Sequence, residues 1–276
     1  EECEEYSKRP LVLSFHRVDH NDGIAPYFRE ELRRIMTAKR PRLGDYASWN
    51  YQAYVDDSIA WETNPLYGWC EKVRKPDGSK YDIYADGLKI YTTIDSRMQQ
   101  YAENAVRNHL GRDLQKRFIK ERGGYRNPYS NNTTELSADL KAQLIKNAIS
   151  QSERARVLRI AGLSEKEIVQ NFNEKVDMRI FSYDGGIDTV MTPLDSILYV
   201  KSILRTGMMS MDPTTGHVKA YVGGPSFRFF KYDMAGRGRR QIGSTCKPFL
   251  YSLAMEEDYT PCDSFLNEQP VIQVPG

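Results

Sequence analysis

Arg239-Arg240-Gln241-Ile242-Gly243-Ser244-Thr245-Cys246-Lys247-Pro248 leads into an apolar run through Phe249, Leu250, Leu253 and Ala254, and the spacing predicts a helix that opens at the serine. Ser244 is the only serine of the chain with a lysine three residues on. On a helix three residues turn the chain by ~300°, which stacks Lys247 beside Ser244 on one face. A serine hydroxyl is a weak nucleophile until a neighbouring base takes its proton, and a lysine does so when desolvation lowers its pKa toward neutrality. Gly243 lets a substrate come close, and a helix N-terminus leaves the Ser244 N–H free to donate to an oxyanion. A bare Ser-x-x-Lys also recurs on solvated helices without any chemistry, so the residues around it decide the reading.

Upstream, Gly207 to Met211 and His217 to Val222 flank Asp212-Pro213-Thr214-Thr215-Gly216, which predicts a hairpin whose second strand ends at Gly223-Gly224. Earlier still, Asp95 or Ser96 can cap a helix with Met98, Tyr101, Ala102, Ala105, Val106 and Leu110 on its apolar face. Gly123-Gly124 and the polar stretch Asn127 to Thr134 break the chain, predicting a mobile loop near Ser130, and two shorter helices follow at about 138–150 and 164–172. Positions 25–36 carry Phe28, Leu32 and Ile35 at helical spacing. After them Trp69 to Val73, Tyr81 to Tyr84 and Leu88 to Thr92 read as strands of a small antiparallel meander, turned by Pro76-Asp77-Gly78 and Asp86-Gly87. Helices and antiparallel strands in separate runs predict an α+β fold.

The 276 residues include 40% apolar and 11% aromatic residues, enough to bury a core and exclude a disordered chain. Lys and Arg number 39 against 37 Asp and Glu, a net charge of +2, so the overall field expected of a dedicated nucleic-acid binder is absent. Apolar runs such as Leu11 to Ser14 and Val271 to Ile272 fall far below the ~20 residues that span a bilayer. The start, Glu1-Glu2-Cys3-Glu4-Glu5, lacks the pattern of a signal peptide and enters Leu11-Val12-Leu13-Ser14-Phe15 as if mid-fold, so the chain reads as a cut piece. Cys3, Cys70, Cys246 and Cys262 stand at unrelated spacings and signal neither a zinc site nor a disulfide framework. His16 and His20 could face one metal, but His109 and His217 lack ligand spacing, and structural histidines are the favoured reading. Phe227, Phe229, Phe230 and Tyr232 read as core, and Cys246, ~200° from Ser244 on a helix, as a small buried hydrophobe facing away from it. Arg237, Arg239 and Arg240 could pair with a carboxylate, though such runs are more often solvated or ion-paired.

The longer string resembles that around the transpeptidase serine of class A penicillin-binding proteins, Arg-Gln-Pro-Gly-Ser-Thr-Phe-Lys-Pro, at Arg240, Gln241, Gly243, Ser244, Thr245, Lys247 and Pro248, with Ile242 and Cys246 departing from it. The hairpin Asp212-Pro213-x-Thr215-Gly216 ending in Val222-Gly223-Gly224 is similar to the strand pair before the nucleophile in that family. Gly87-Leu88-Lys89-Ile90-Tyr91-Thr92-Thr93-Ile94-Asp95 with Met98-Gln99 resembles the segment that opens its transpeptidase module. Three motifs in the family's order cover positions 87 to about 250.

The resemblance implies a bifunctional peptidoglycan glycosyltransferase/transpeptidase, with 1–86 as an inter-module region bearing the meander. In this reading 87–276 begins a transpeptidase domain of antiparallel sheet and packed helices, with a helical insertion at about 111–180. It implies Ser244 as nucleophile, Lys247 as general base, Gly243 and Arg240 as substrate-binding residues, and no metal or organic cofactor. Stem peptides, lipid-linked precursor and β-lactams are the implied ligands. The implied place is the periplasmic side of the bacterial inner membrane, with the anchor outside these residues. The family's Lys-Thr-Gly motif follows the nucleophile, yet none of the 29 residues after Lys247 is a lysine, so the piece alone is expected to be inactive. The hairpin is expected to have an unpaired edge open to self-association. The rival readings are a non-catalytic scaffold module, and a penicillin sensor or serine β-lactamase that shares Ser-x-x-Lys; the long upstream region and Thr92-Thr93-Ile94-Asp95 argue against the latter.

Overall fold

The computed structural model describes residues 23–123 and 136–264. His16, His20, the run Leu11 to Phe15, the loop near Ser130 and Val271-Ile272 lie outside them. The chain divides into two units, Glu1–Gly238 and Arg239–Gly276.

In the first unit, helix α1 (Pro26–Met36) starts at Ala25, whose left-handed φ of 51° is held by its N–H donating to the Glu103 carboxylate at 3.1 Å. Helix α2 (Tyr51–Thr63) and a single helical turn α3 (Trp69–Lys72) follow. Helix α4 (Ser96–Ala105) runs on without a break as a π-helical stretch (Val106–Leu114) and then as α5 (Gln115–Glu121). Asp95 caps it as expected, its carboxylate accepting from the N–H groups of Arg97 and Met98.

The buried face of this helix is only part of the expected apolar one: Ala102 is buried and Val106 packs with it against Ala220 and Val222. Met98 and Tyr101 are exposed, whereas Gln99, Ala102 and Gln115 are buried. Each glutamine grips the backbone of another segment with both ends of its amide. Gln99 donates to the Tyr221 carbonyl (3.0 Å) and accepts from the Tyr221 N–H (2.7 Å). Gln115 donates to the Ser202 carbonyl (2.9 Å) and accepts from the Leu204 N–H (2.8 Å). A buried strand edge must have its polar groups satisfied, and a side-chain amide serves as well as a further strand.

Helices α6 (Ala138–Ser150), α7 (Glu153–Ile160) and α8 (Glu165–Asn171) are each opened by a serine that accepts from the first turn, and Ser164 forms a full capping box with Glu167. They close on Ile149, Ala155, Ile168 and Phe172, joined by Leu194 and Ile197 of α9 (Pro193–Ser202). Of these helices the sequence reading anticipated α6 and α8 but not α7 or α9. It also missed the hairpin β1 (Val176–Ser182) and β2 (Gly185–Met191), paired antiparallel from Val176 opposite Met191 to Ser182 opposite Gly185. Asp184-Gly185-Gly186 behind an alternating strand was the available signal. Tyr183 in its turn presses on Gly111, where an added Cβ would lie 2.3 Å from the ring.

The predicted hairpin forms as β3 (Met208–Met211) and β4 (Val218–Val222), with Gly216 left-handed at φ 72°. The free edge of β4 is covered by the start of α4: Thr93 donates to the Val218 carbonyl (2.8 Å), the Asp95 N–H to the Lys219 carbonyl (2.9 Å), and Gln99 grips Tyr221. The expected unpaired edge is therefore confined to β3, where Met208, Met209 and Met211 are exposed.

The α+β class holds, but the meander does not form at the expected strands. Gly68, left-handed at φ 71°, opens the helical turn α3, and its carbonyl accepts from Glu71 and Lys72. At 81–86 the Asp82 carboxylate takes the N–H groups of Tyr84 and Ala85, and Asp86 takes that of Asp82, so side chains use the donors a ladder would need. Only a bridge between Arg74 and Lys80 survives, around the expected turn at 76–78. Among the described residues, 88–92 forms no strand.

Candidate active site

At the end of the first unit, β4 runs into Val222-Gly223-Gly224 beside Tyr27 of α1. A Cβ on Gly223 would lie 2.5 Å from the Asp233 carboxylate and 2.6 Å from the Tyr27 ring, and one on Gly224 would lie 2.4 Å from the Tyr27 hydroxyl. The glycines thus let an aromatic ring and a carboxylate reach the strand end. Asp233 is buried and accepts from the Tyr221 hydroxyl (2.5 Å) and from the N–H groups of Ala235 (2.8 Å) and Gly236 (3.1 Å). Burial and this carboxylate push the Tyr221 phenol far above its ordinary range. Tyr27 donates to the Phe230 carbonyl (2.6 Å), and Phe227 meets its ring edge-on. Phe227 and Phe230 are core as expected, whereas Tyr232 is 53% exposed, its hydroxyl donating to the Arg237 carbonyl (2.6 Å). The sequence reading missed Asp233, although an aspartate three residues before a glycine is the signature of such a turn.

The second unit holds the serine segment. A 3-10 turn (Gly243–Cys246) passes directly into helix α10 (Lys247–Glu256), and the Lys247 N–H donates to the Ser244 carbonyl. The sequence reading expected α-helical stacking of Lys247 on Ser244. A 3-10 turn has 3.0 residues per turn, so backbone positions i and i+3 eclipse, but among the described residues no hydrogen bond joins the Ser244 and Lys247 side chains. Gly243 is left-handed at φ 52°, with nothing within 4 Å of the place a Cβ would occupy. Here glycine is demanded by the backbone, which must enter the turn from the left-handed region.

Every residue from Arg239 to Leu253 is exposed. Among the described residues no ion pair holds Arg239 or Arg240, whereas Arg237 reaches the Glu31 carboxylate at 3.3 Å and is a structural pair. Cys246 is exposed, against the expected burial, and its thiol donates to the Gly243 carbonyl (3.1 Å). Burial requires an opposing surface, and the described residues of this unit supply none: Phe249 is 76% exposed. The described cysteines are unpaired, and among the described residues no His, Cys, Asp or Glu cluster could hold a metal.

A family model described as the penicillin-binding protein middle domain matches residues 125–204, the region of α6 to α9 and the β1–β2 hairpin. Penicillin-binding protein 1A of Rickettsia prowazekii (strain Madrid E) is 29% identical over 224 residues, covering 75% of this chain and 28% of that protein. Penicillin-binding protein 1A of Escherichia coli (strain K12) is 28% identical over 236 residues, covering 73% of this chain and 27% of that protein. That of Pseudomonas aeruginosa is 25% identical over 304 residues, covering 92% of this chain and 34% of that protein. Whichever end of the chain is left over, an alignment across 92% of its 276 residues includes Ser244 and Lys247. The chain thus spans about a third or less of the length of these relatives. No solved structure matches it.

Proposed function

From the premise that the chain belongs to the class A penicillin-binding proteins, we propose that it carries the nucleophile segment of a D,D-transpeptidase that cross-links peptidoglycan within a bifunctional, membrane-held cell-wall synthase. The observation that carries this reading is the register of Ser244 and Lys247 across the 3-10 turn, inside a string that matches the family's at seven positions. Ser244 Oγ attacks the carbonyl carbon of the penultimate D-alanine of a stem peptide. Its proton passes to Lys247 Nζ and then to the amine of the terminal D-alanine, which leaves. An amine of a second strand resolves the ester and frees the serine. β-Lactams enter the same first step and stop there.

Lysine acts as a base only as a neutral amine, a state favoured by enclosure or by a neighbouring cation. Lys247 and Ser244 are exposed, and among the described residues no hydrogen bond joins their side chains, so they lie one turn apart without the enclosure. The Lys-Thr-Gly strand that the resemblance calls for is not in this sequence. The loss of one oxyanion donor alone costs ~10²–10³ in rate. The 276-residue chain is therefore expected to be inert, and the activity belongs to the parent protein.

The test is covalent labelling of the parent protein by a fluorescent penicillin. Ser244→Ala should abolish it and Lys247→Ala should slow it strongly, because losing either partner disables one catalytic unit. Labelling of the Ser244→Ala protein at the parent rate refutes the assignment. A stoichiometric penicillin adduct on Ser244 of the 276-residue chain would show that this segment is a working site by itself.

A further inference from the structure

The chain as a whole is nearly neutral, yet it carries several basic stretches, of which one lies along a helix. From Arg107 to Arg122 six Lys and Arg stand against two Asp and Glu, net +4, which leaves the other residues together at −2. This stretch is the second half of the long helix, and its buried side is fixed by Gln99, Ala102 and Gln115. Arg112, Lys116 and Lys120 recur every fourth residue and are all exposed, so they form a row ~12 Å long on the solvent side. Arg117 is neutralised by Asp113 at 2.7 Å and stands outside the row. Arg112 has only the exposed Asp184 at 3.8 Å, a pair of little worth in water. Among the described residues neither Lys116 nor Lys120 has an ion pair.

We propose that this row is a docking surface for an anionic lipid bilayer. Evenly spaced cations along a convex rod do not converge on one point, as a pocket for a small anion requires; they match the spread negative charge of a headgroup plane. Three cations held against an anionic leaflet, at a factor of about five each, contribute ~10² in partition. That is weak for a free protein, but it suffices for a second contact of a chain already held at the membrane. The inference uses the membrane-held parent of the proposed function only for that last step; the charge row stands without it.

The experiment is flotation of the whole 276-residue chain with phosphatidylcholine vesicles, with and without phosphatidylglycerol. Binding should appear only with phosphatidylglycerol and fall with added salt. Arg112→Gln/Lys116→Gln/Lys120→Gln keeps good helix formers at exposed positions, and should lower partition by ~10² with the helical signal unchanged. Lys146→Gln/Lys166→Gln/Lys175→Gln removes the same charge from exposed positions elsewhere and should leave binding near the parent level. Equal binding to both vesicle types, no loss in the first variant, or an equal loss in the second overturns the proposal. None of these outcomes depends on transpeptidation.

Discussion

Replacing Gln99 tests whether a side-chain amide stands in for a strand on the free edge of β4. The residue is fully buried and makes both hydrogen bonds to the backbone of Tyr221, at 3.0 and 2.7 Å. Without the amide, one N–H and one C=O of a buried strand lose their partners, and an orphaned buried group costs ~1–3 kcal/mol. Gln99→Leu should therefore destabilise the fold by ~2–6 kcal/mol, a large share of the ~5–15 kcal/mol that holds a domain together. Gln99→Ala adds a cavity and should be no milder. The leucine variant separates the two effects, because it fills the space with apolar atoms and restores neither bond. Gln99→Glu keeps an acceptor for the Tyr221 N–H, but sets a carboxylate against the Tyr221 carbonyl and the Glu103 carboxylate, which now accepts from Gln99 at 2.7 Å. Burial and like charge raise the folded pKa of such an acid, so its penalty grows as pH rises past the unfolded value and shrinks in acid. Urea denaturation reads all three as shifts in midpoint at constant slope. A Gln99→Leu protein within ~0.5 kcal/mol of the parent would refute the reasoning.

In the native protein a thiol reagent should modify Cys246 and Cys262 rapidly and Cys70 only on unfolding, since burial hides Cys70 and pushes its thiol up; fast labelling of Cys70 would contradict this. Hydrogen bonds from the N–H groups of Met98 and Arg97 hold Asp95 below the usual carboxylate range, so its contribution is full above the unfolded pKa and is lost as pH falls through the lower folded one. Asp95→Asn keeps a capping acceptor and should flatten the acid limb of stability with little change at neutral pH, which acid titration followed by circular dichroism can check. Gly223→Ala places a methyl between the Asp233 carboxylate and the Tyr27 ring and should cost ~1–3 kcal/mol by thermal unfolding; an unchanged midpoint would mean that the strand end is looser than described.

What was legible in the sequence is what short-range chemistry determines. The cap at Asp95, the turn at Asp212 to Gly216 and the helix that starts at Ala138 each rest on residues within a few positions of one another. Gln99 escaped because periodicity selects apolar residues for the inside, and nothing local says that a strand edge 122 residues away needs a donor and an acceptor. The stretch 81–86 escaped for the opposite reason: its aspartates satisfy their own backbone and remove the donors that a ladder needs. The serine segment obeys the same division. Register between Ser244 and Lys247 is a property of one turn, so four residues suffice to set it. Burial of Cys246, and the enclosure that would make Lys247 a base, depend on surfaces brought from elsewhere in a fold. Recognising the nucleophile and showing that it reacts are therefore separate problems, and the second is decided by labelling the parent protein and the 276-residue chain side by side.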